Sequence, residues 1–191
     1  PRLAADGFPL RTASDTEVLL GAIYRFGWQS LDACEGMWAF AVYDEADGSL
    51  TLCRDRFGEK PLYMYRDDSG IFFGSEVKFI AALLGRRLPV DADQLYRYLV
   101  NGYKALYKGP ATFFEGVREL APASVLRVTA SGREERWSYW RPDVTADDGM
   151  SYDDAVREAR ERLIRSVELR LRADVPLAFC MSGGVDSNAL I

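Results

Sequence analysis

The sequence predicts an α+β fold in two parts: an antiparallel, hairpin-built part over residues 1–141 and the start of an α/β unit over 151–191, joined by a linker at 142–150. Three observations predict it. Strand-like runs come in pairs around turn sequences, and a capped helical pattern precedes them. After residue 150, a long helical pattern leads into an apolar run and a glycine-rich loop.

Residues 14–27 read as a capped helix. Ser14 is a good N-cap, Glu17 stands three residues on as in a capping box, and Gly27 supplies the stop. Val18, Leu19, Ala22, Ile23 and Phe26 share its apolar face. Runs 37–43 and 50–54 flank Asp47-Gly48, and runs 62–66 and 71–75 flank Asp67-Asp68-Ser69-Gly70, so two hairpins are predicted. In the first run Trp38, Phe40 and Val42 alternate with Ala39, Ala41 and Tyr43, which predicts burial on both faces. Short helices follow over 76–84, ending at Gly85, and over 91–100. Runs 124–129 and 134–140 make a third hairpin around Ser131-Gly132.

Residues 142–150 are polar and contain Pro142 and Gly149, as a linker does. Ser151 then caps a long helix, with Val156, Ala159, Leu163, Val167 and Leu171 on one face. Glu158 with Arg162, Glu161 with Arg165 and Glu168 with Arg172 are i,i+4 pairs in the favourable order. Residues 176–181 read as a short apolar strand, with Met181 in the core.

Composition narrows the function classes. The 191 residues are 48% hydrophobic and 28% charged, with a net charge of −5, which argues against a dedicated nucleic-acid binder and a polybasic membrane-surface protein. The absence of histidine removes mechanisms that need a His base or a His-rich zinc site. No apolar run approaches the ~20 residues of a membrane span. Cys34, Cys53 and Cys180 are odd in number and widely spaced, which suits the cytoplasm better than a disulfide framework. The chain starts at Pro1 and stops directly after the glycine-rich loop, so we expect an internal fragment of a longer protein.

The strongest chemical signal is Ser182-Gly183-Gly184-Val185-Asp186-Ser187 after the apolar run. Glycines let a backbone bend tightly and aim several N–H groups into one concavity, Ser182 and Ser187 add hydroxyls, and a helix starting near Asp186 favours the same anion. An ordinary turn closing a strand is the competing reading. No Gly-Lys-[Ser/Thr] follows, so this is not a Walker A loop. The S-G-G-x-D-S pattern resembles the pyrophosphate loop (PP-loop) of the ATP pyrophosphatases.

Further stretches carry a second resemblance. Ser14-Asp15-Thr16-Glu17, Glu35-Gly36-Met37-Trp38-Ala39-Phe40-Ala41, the run from Arg54 to Tyr63 (RDRFGEKPLY), and Phe73-Gly74-Ser75-Glu76-Val77-Lys78 stand in order before the loop. Together they resemble the glutamine-dependent asparagine synthetases over nearly the whole chain. That resemblance implies an Ntn-hydrolase-like αββα sandwich, incomplete at its N-terminus, followed by the start of a PP-loop synthetase domain. It implies glutamine hydrolysis by an N-terminal cysteine, with the ammonia used to make asparagine, AMP and pyrophosphate from aspartate and ATP through β-aspartyl-AMP. It leaves a homodimer of the parent open.

The resemblance also assigns residues. Asp15 matches the aspartate that holds the glutamine α-amino group, although an Asp in a first helical turn is favoured by the dipole alone. Ser182, Gly183, Gly184 and Ser187 would cradle the phosphates, Asp186 would help hold Mg²⁺, and Cys180 would meet ATP through its backbone. Arg54 and Asp55 are expected to form an internal ion pair shaping the turn before Gly58. Cys34 and Cys53 are expected as small core residues. The family's nucleophile, its carboxylate-binding arginine loop and its Asn-Gly-Glu segment would precede residue 1, and the aspartate pocket would follow Ile191. The chain alone is therefore expected to be inactive.

Two other readings stay open. One keeps both domains and changes the acceptor to a carboxylated sugar or another small acid. The other is a non-catalytic αββα interface module, against which the intact Asp186 and loop serines count.

Overall fold

A computed structural model describes residues 2–103, 106, 109–146 and 149–190. The chain divides into two compact units, Pro1–Pro142 and Asp143–Ile191.

The first unit opens with a short helix, α1 (Arg2–Ala5), then α2 (Asp15–Phe26) and a 3-10 turn over Trp28–Ala33. Strands β1 (Ala39–Asp44) and β2 (Ser49–Arg54) form the first hairpin, β3 (Tyr63–Asp67) and β4 (Gly70–Gly74) the second. Helices α3 (Val77–Leu84) and α4 (Ala92–Asn101) follow, then the two-residue β5 (Arg118–Glu119), and β6 (Ser124–Val128) with β7 (Glu134–Ser138). The strands build two antiparallel sheets, β1-β2-β6-β7 and β4-β3-β5.

Three apolar clusters show how the layers stack. Leu52, Leu126 and Val128 of the first sheet meet Met64 of the second and Leu62 and Leu120, which flank its strands β3 and β5, so one core lies between the sheets. On the outer face of the first sheet, Cys53 and Val125 pack with Leu31, Leu19 and Trp28 from the helical layer. On the outer face of the second, Tyr63, Tyr65 and Phe72 pack with Ile80, Val77 and Leu84 of α3. This is the expected αββα sandwich. Alternation along β2 generates it: Leu52 points to the inter-sheet core and Cys53 to the helices.

That alternation corrects one expectation. Burial on both faces belongs to β2, where Thr51 to Arg54 are all buried, and not to the 37–43 run. Within this chain β1 is an edge strand of its sheet, with Ala41 and Tyr43 exposed. A central strand has a neighbour on each side, whereas an edge strand has only one.

Helix ends follow their caps. Ser14 Oγ accepts from Thr16 N at 3.3 Å, and Gly27 closes α2 with its N–H on the Ile23 carbonyl. Glu17 does not complete a capping box. Its carboxylate instead takes the N–H groups of Arg11 at 2.8 Å and Thr12 at 2.7 Å, clamping the segment that leads into the helix. Gly85 ends α3 in the left-handed conformation, with φ 64°.

The second unit holds α5 (Tyr152–Arg170) and the one-and-a-half-turn α6 (Val185–Leu190). Ser151 Oγ caps α5 by accepting from Asp154 N at 3.2 Å. Of the three expected pairs only Glu158 with Arg162 forms; Arg165 turns to Glu168, and Arg157 pairs with Asp154. Residues 176–181 form no strand, and Met181 is exposed. A strand exists through its ladder, and no other described segment of this unit is a strand that could pair with it.

Candidate active site

A cavity of about 1060 Å³ opens in the first unit. Four stretches of chain line it. The start of α2 contributes Asp15 and Thr16, and the approach to β1 contributes Cys34 to Phe40. Lys60 and Pro61 come from the segment after β2, and Ser75 from the end of β4. Asp15, at the first position of α2, faces this space with its carboxylate free of capping duty, since Ser14 caps the helix and Glu17 clamps residues 11–12. Among the described residues its one hydrogen bond is from Thr16 Oγ1, at 3.5 Å. An exposed carboxylate at a helix N-terminus, with its lone pairs open, suits a ligand ammonium group.

The 55–61 segment is held from below by two buried charges. Arg54 donates Nε to the Lys60 carbonyl at 2.8 Å, Nη1 to Leu120 at 2.6 Å and Nη2 to Gly58 at 2.6 Å, and Nη2 also meets Glu119 Oε1 at 2.8 Å. Asp55, 1% exposed, accepts from the N–H groups of Phe57, Glu59 and Lys60 at 2.9–3.1 Å and of Trp38 at 3.3 Å. Burial pushes its carboxyl up, but the donors from Lys60, Glu59, Phe57 and Trp38 outweigh that and hold it below the usual carboxylate range. The two residues therefore do not pair with each other, as the sequence suggested. Each is satisfied by main-chain groups of other residues, Arg54 by three carbonyls and Asp55 by four N–H groups. Gly58 closes the turn with φ 67°, and an added Cβ would lie 2.9 Å from Arg54 Cζ.

The cysteines near this site are not poised as nucleophiles. Cys53 is fully buried, and burial pushes its thiol up to about 12. Cys34 is not a core residue but half-buried on the cavity wall, where burial raises its thiol and Arg56 only partly opposes.

In the second unit the glycine-rich loop is exposed. Gly183 has φ 78°, reversing the chain so that α6 starts at Val185. Ser182 Oγ and Ser187 Oγ stand 3.1 Å apart, Gly184 N donates to Ser182 Oγ at 3.4 Å, and Ser187 Oγ donates to the Gly184 carbonyl at 3.0 Å. Beside Gly184 an added Cβ would meet only Ser182 Oγ, at 3.4 Å, so the space over its backbone is open. Asp186 lies in the first turn of α6 and Cys180 is exposed in the segment before the loop. Sequence reasoning singled out Asp15 in the first unit but missed Lys60, Ser75 and Glu35 as cavity residues. The signal was there, since each sits inside one of the four quoted stretches.

Residues 1–140 match the family described as glutamine amidotransferase domain, and residues 158–191 match asparagine synthase. Asparagine synthetase [glutamine-hydrolyzing] 3 of Bacillus subtilis is 34% identical over 98% of this chain and 30% of its own length. Amidase chry2 of Gibberella zeae is also 34% identical, over 97% of this chain and 27% of its own. A glutamine phosphoribosylpyrophosphate amidotransferase from B. subtilis aligns in structure over 92% of this chain and 35% of its own, with 18% identity and a TM-score of 0.49. The chain thus spans about 30% of the length of the curated relatives named here. The family match covers the whole sandwich and its cavity, and on it the chain belongs to the glutamine amidotransferase domain family.

Proposed function

We propose that this chain is part of an ATP-dependent, glutamine-hydrolysing asparagine synthetase, with residues 1–141 from the glutamine-hydrolysing domain, 142–150 a linker and 151–191 the start of the synthetase domain. One observation carries the reading: the four stretches that resemble this family, scattered between residues 14 and 78, converge on one cavity with Asp15 at its wall. Asp15 would hold the glutamine α-ammonium there, and Arg54 and Asp55 would position the Lys60 side of the wall without touching substrate. The relative from B. subtilis at 34% identity supports aspartate as acceptor. The amidase at equal identity supports a second reading, the same two-part organisation acting on another acceptor.

The loop fits ATP in its donor set: backbone N–H groups, two hydroxyls and an open approach over Gly184. Ser182, Gly183, Gly184 and Ser187 would hold the phosphates and the Cys180 backbone would lie by the nucleotide. Among the described residues no group of three acidic, cysteine or histidine side chains could enclose a metal ion. Mg²⁺ does not require such a group, since it binds through one or two carboxylates, phosphates and water, and Asp186 supplies one carboxylate. Bound ATP would activate the acceptor carboxylate and leave as AMP and pyrophosphate. None of the described helices is long and apolar enough to cross a membrane, and the three unpaired cysteines support a cytoplasmic setting.

The test is Asp15→Asn in the intact parent enzyme. Loss of a charged hydrogen bond, about 1.5–3 kcal/mol, should raise the glutamine KM roughly 10–150-fold and leave ammonia-dependent synthesis unchanged. Equal loss with both nitrogen sources would make Asp15 a helix-start residue.

A further inference from the structure

At one open side of the sandwich the apolar core between the two sheets gives way to exposed charge. The inner face of β7 carries Glu134 and Arg136, directly opposite Val128 and Leu126 of the inter-sheet core. Across the gap, Arg118 of β5 is in register with the core residue Met64, and Arg66 follows two positions along β3 on the same face. All four residues are exposed, so these positions form the open rim of the sandwich, where its apolar core ends. Here they line a cavity of about 400 Å³.

The charges in it do not balance. Glu134 takes Arg66 Nη1 at 2.6 Å and Arg136 Nη2 at 2.7 Å. Arg136 and, after the opposing effect of burial, Arg66 hold its carboxyl below the usual range, so it stays ionised. Among the described residues the Arg118 side chain forms no hydrogen bond or ion pair. Three guanidinium groups against one carboxylate leave the cleft two positive charges in excess, in a chain whose net charge is −5. An edge strand does use inward charges to resist sheet-to-sheet association, and that would explain the Glu134–Arg136 pair. It would also cover Arg118, since β5 is an edge strand of the second sheet, but it would not place Arg66 on the central strand β3.

We propose that this inter-sheet cleft binds a small doubly charged oxyanion of the phosphate class, held by Arg118 and Arg136 with Arg66 at its side. Guanidinium forks match the geometry of phosphate oxygens, and two excess positive charges match a hydrogenphosphate dianion. The site is distinct from the cavity at Asp15, with which it shares no lining residue.

The experiment is a titration of the full chain with inorganic phosphate at constant ionic strength, followed by calorimetry and by the arginine Nε–H resonances. Saturable binding is expected, weakened at least about tenfold by Arg118→Gln and unchanged by Arg133→Gln, which alters an arginine outside the cleft. Thermal melting of each variant checks folding. Should Arg118→Gln fail to fold, the resonances of the unmodified chain decide, because shifts must then centre on Arg66, Arg118 and Arg136. No saturable binding, binding equal in Arg118→Gln, or shifts centred elsewhere would overturn the proposal and leave edge protection as the role of these charges.

Discussion

Arg54, the last residue of β2, and Glu119, in β5, meet at 2.8 Å and so tie the first sheet to the second. The same guanidinium holds the carbonyls of Gly58, Lys60 and Leu120, so one side chain joins both sheets to the loop under the cavity wall. Its side chain is almost fully buried, and that makes the geometry of the fork matter as much as its charge.

Arg54→Ala should cost about 3–5 kcal/mol of unfolding free energy, because it leaves buried acceptors unpaired. Arg54→Lys should cost most of that, since a point charge cannot reach four acceptors in different directions. Urea unfolding measures both. A lysine variant within about 0.5 kcal/mol of the parent would show that charge alone suffices.

Asp55 gives a pH signature. Its folded carboxyl lies below the usual range, so its contribution is complete above the unfolded value, roughly 3.9, and is lost as pH falls through the lower folded value. The stability gap between the parent and Asp55→Asn should therefore be constant above about pH 5 and shrink below about pH 4. A gap that instead widens on acidification would reverse the sign of the assigned shift.

The cysteines separate by burial. At pH 8 Cys180, which is exposed, should react with iodoacetamide first. Cys53, whose thiol burial pushes up to about 12, should stay unlabelled until the protein unfolds, and Cys34 should lag behind Cys180. Mass spectrometry of a labelling time course checks the order. Early modification of Cys53 would mean that the helical layer over β2 opens readily.

What could be read from the sequence divides along physical lines. Local rules located the helix caps at Ser14 and Ser151 and the turns at Gly48 and Gly132, because caps and turns depend on residues a few positions apart. The layer order also follows from alternation along β2. Strand neighbours are not local, and so the two-sided burial was assigned to β1 when it belongs to β2. The Arg54–Asp55 pairing failed for a related reason: Arg54 ends β2 and Asp55 opens the following loop, and their true partners lie on other residues. Asp15 was legible as a site residue only through resemblance, since any first-turn acid looks alike in composition. The charged inter-sheet cleft was invisible in the sequence, because it needs the registers of β3, β5 and β7 together.

The glycine-rich loop allows a test in which two adjacent glycines behave differently. Gly183 has φ 78°, so Gly183→Ala should strain the loop by about 1–2 kcal/mol whatever the loop binds. Gly184 carries no such constraint, and its added Cβ would make only an ordinary contact with Ser182 Oγ at 3.4 Å. In the intact parent enzyme Gly184→Ala should therefore leave stability unchanged, yet set a methyl group where a phosphate must approach the backbone. Pyrophosphate release with ammonia as nitrogen source, per folded molecule, should fall at least about tenfold, while glutamine hydrolysis persists. Asp186→Asn should give the same split by removing the carboxylate proposed to meet Mg²⁺. If instead Gly184→Ala releases pyrophosphate normally and only Gly183→Ala is impaired, with its loss tracking stability, the segment is a structural turn and the phosphate assignment fails.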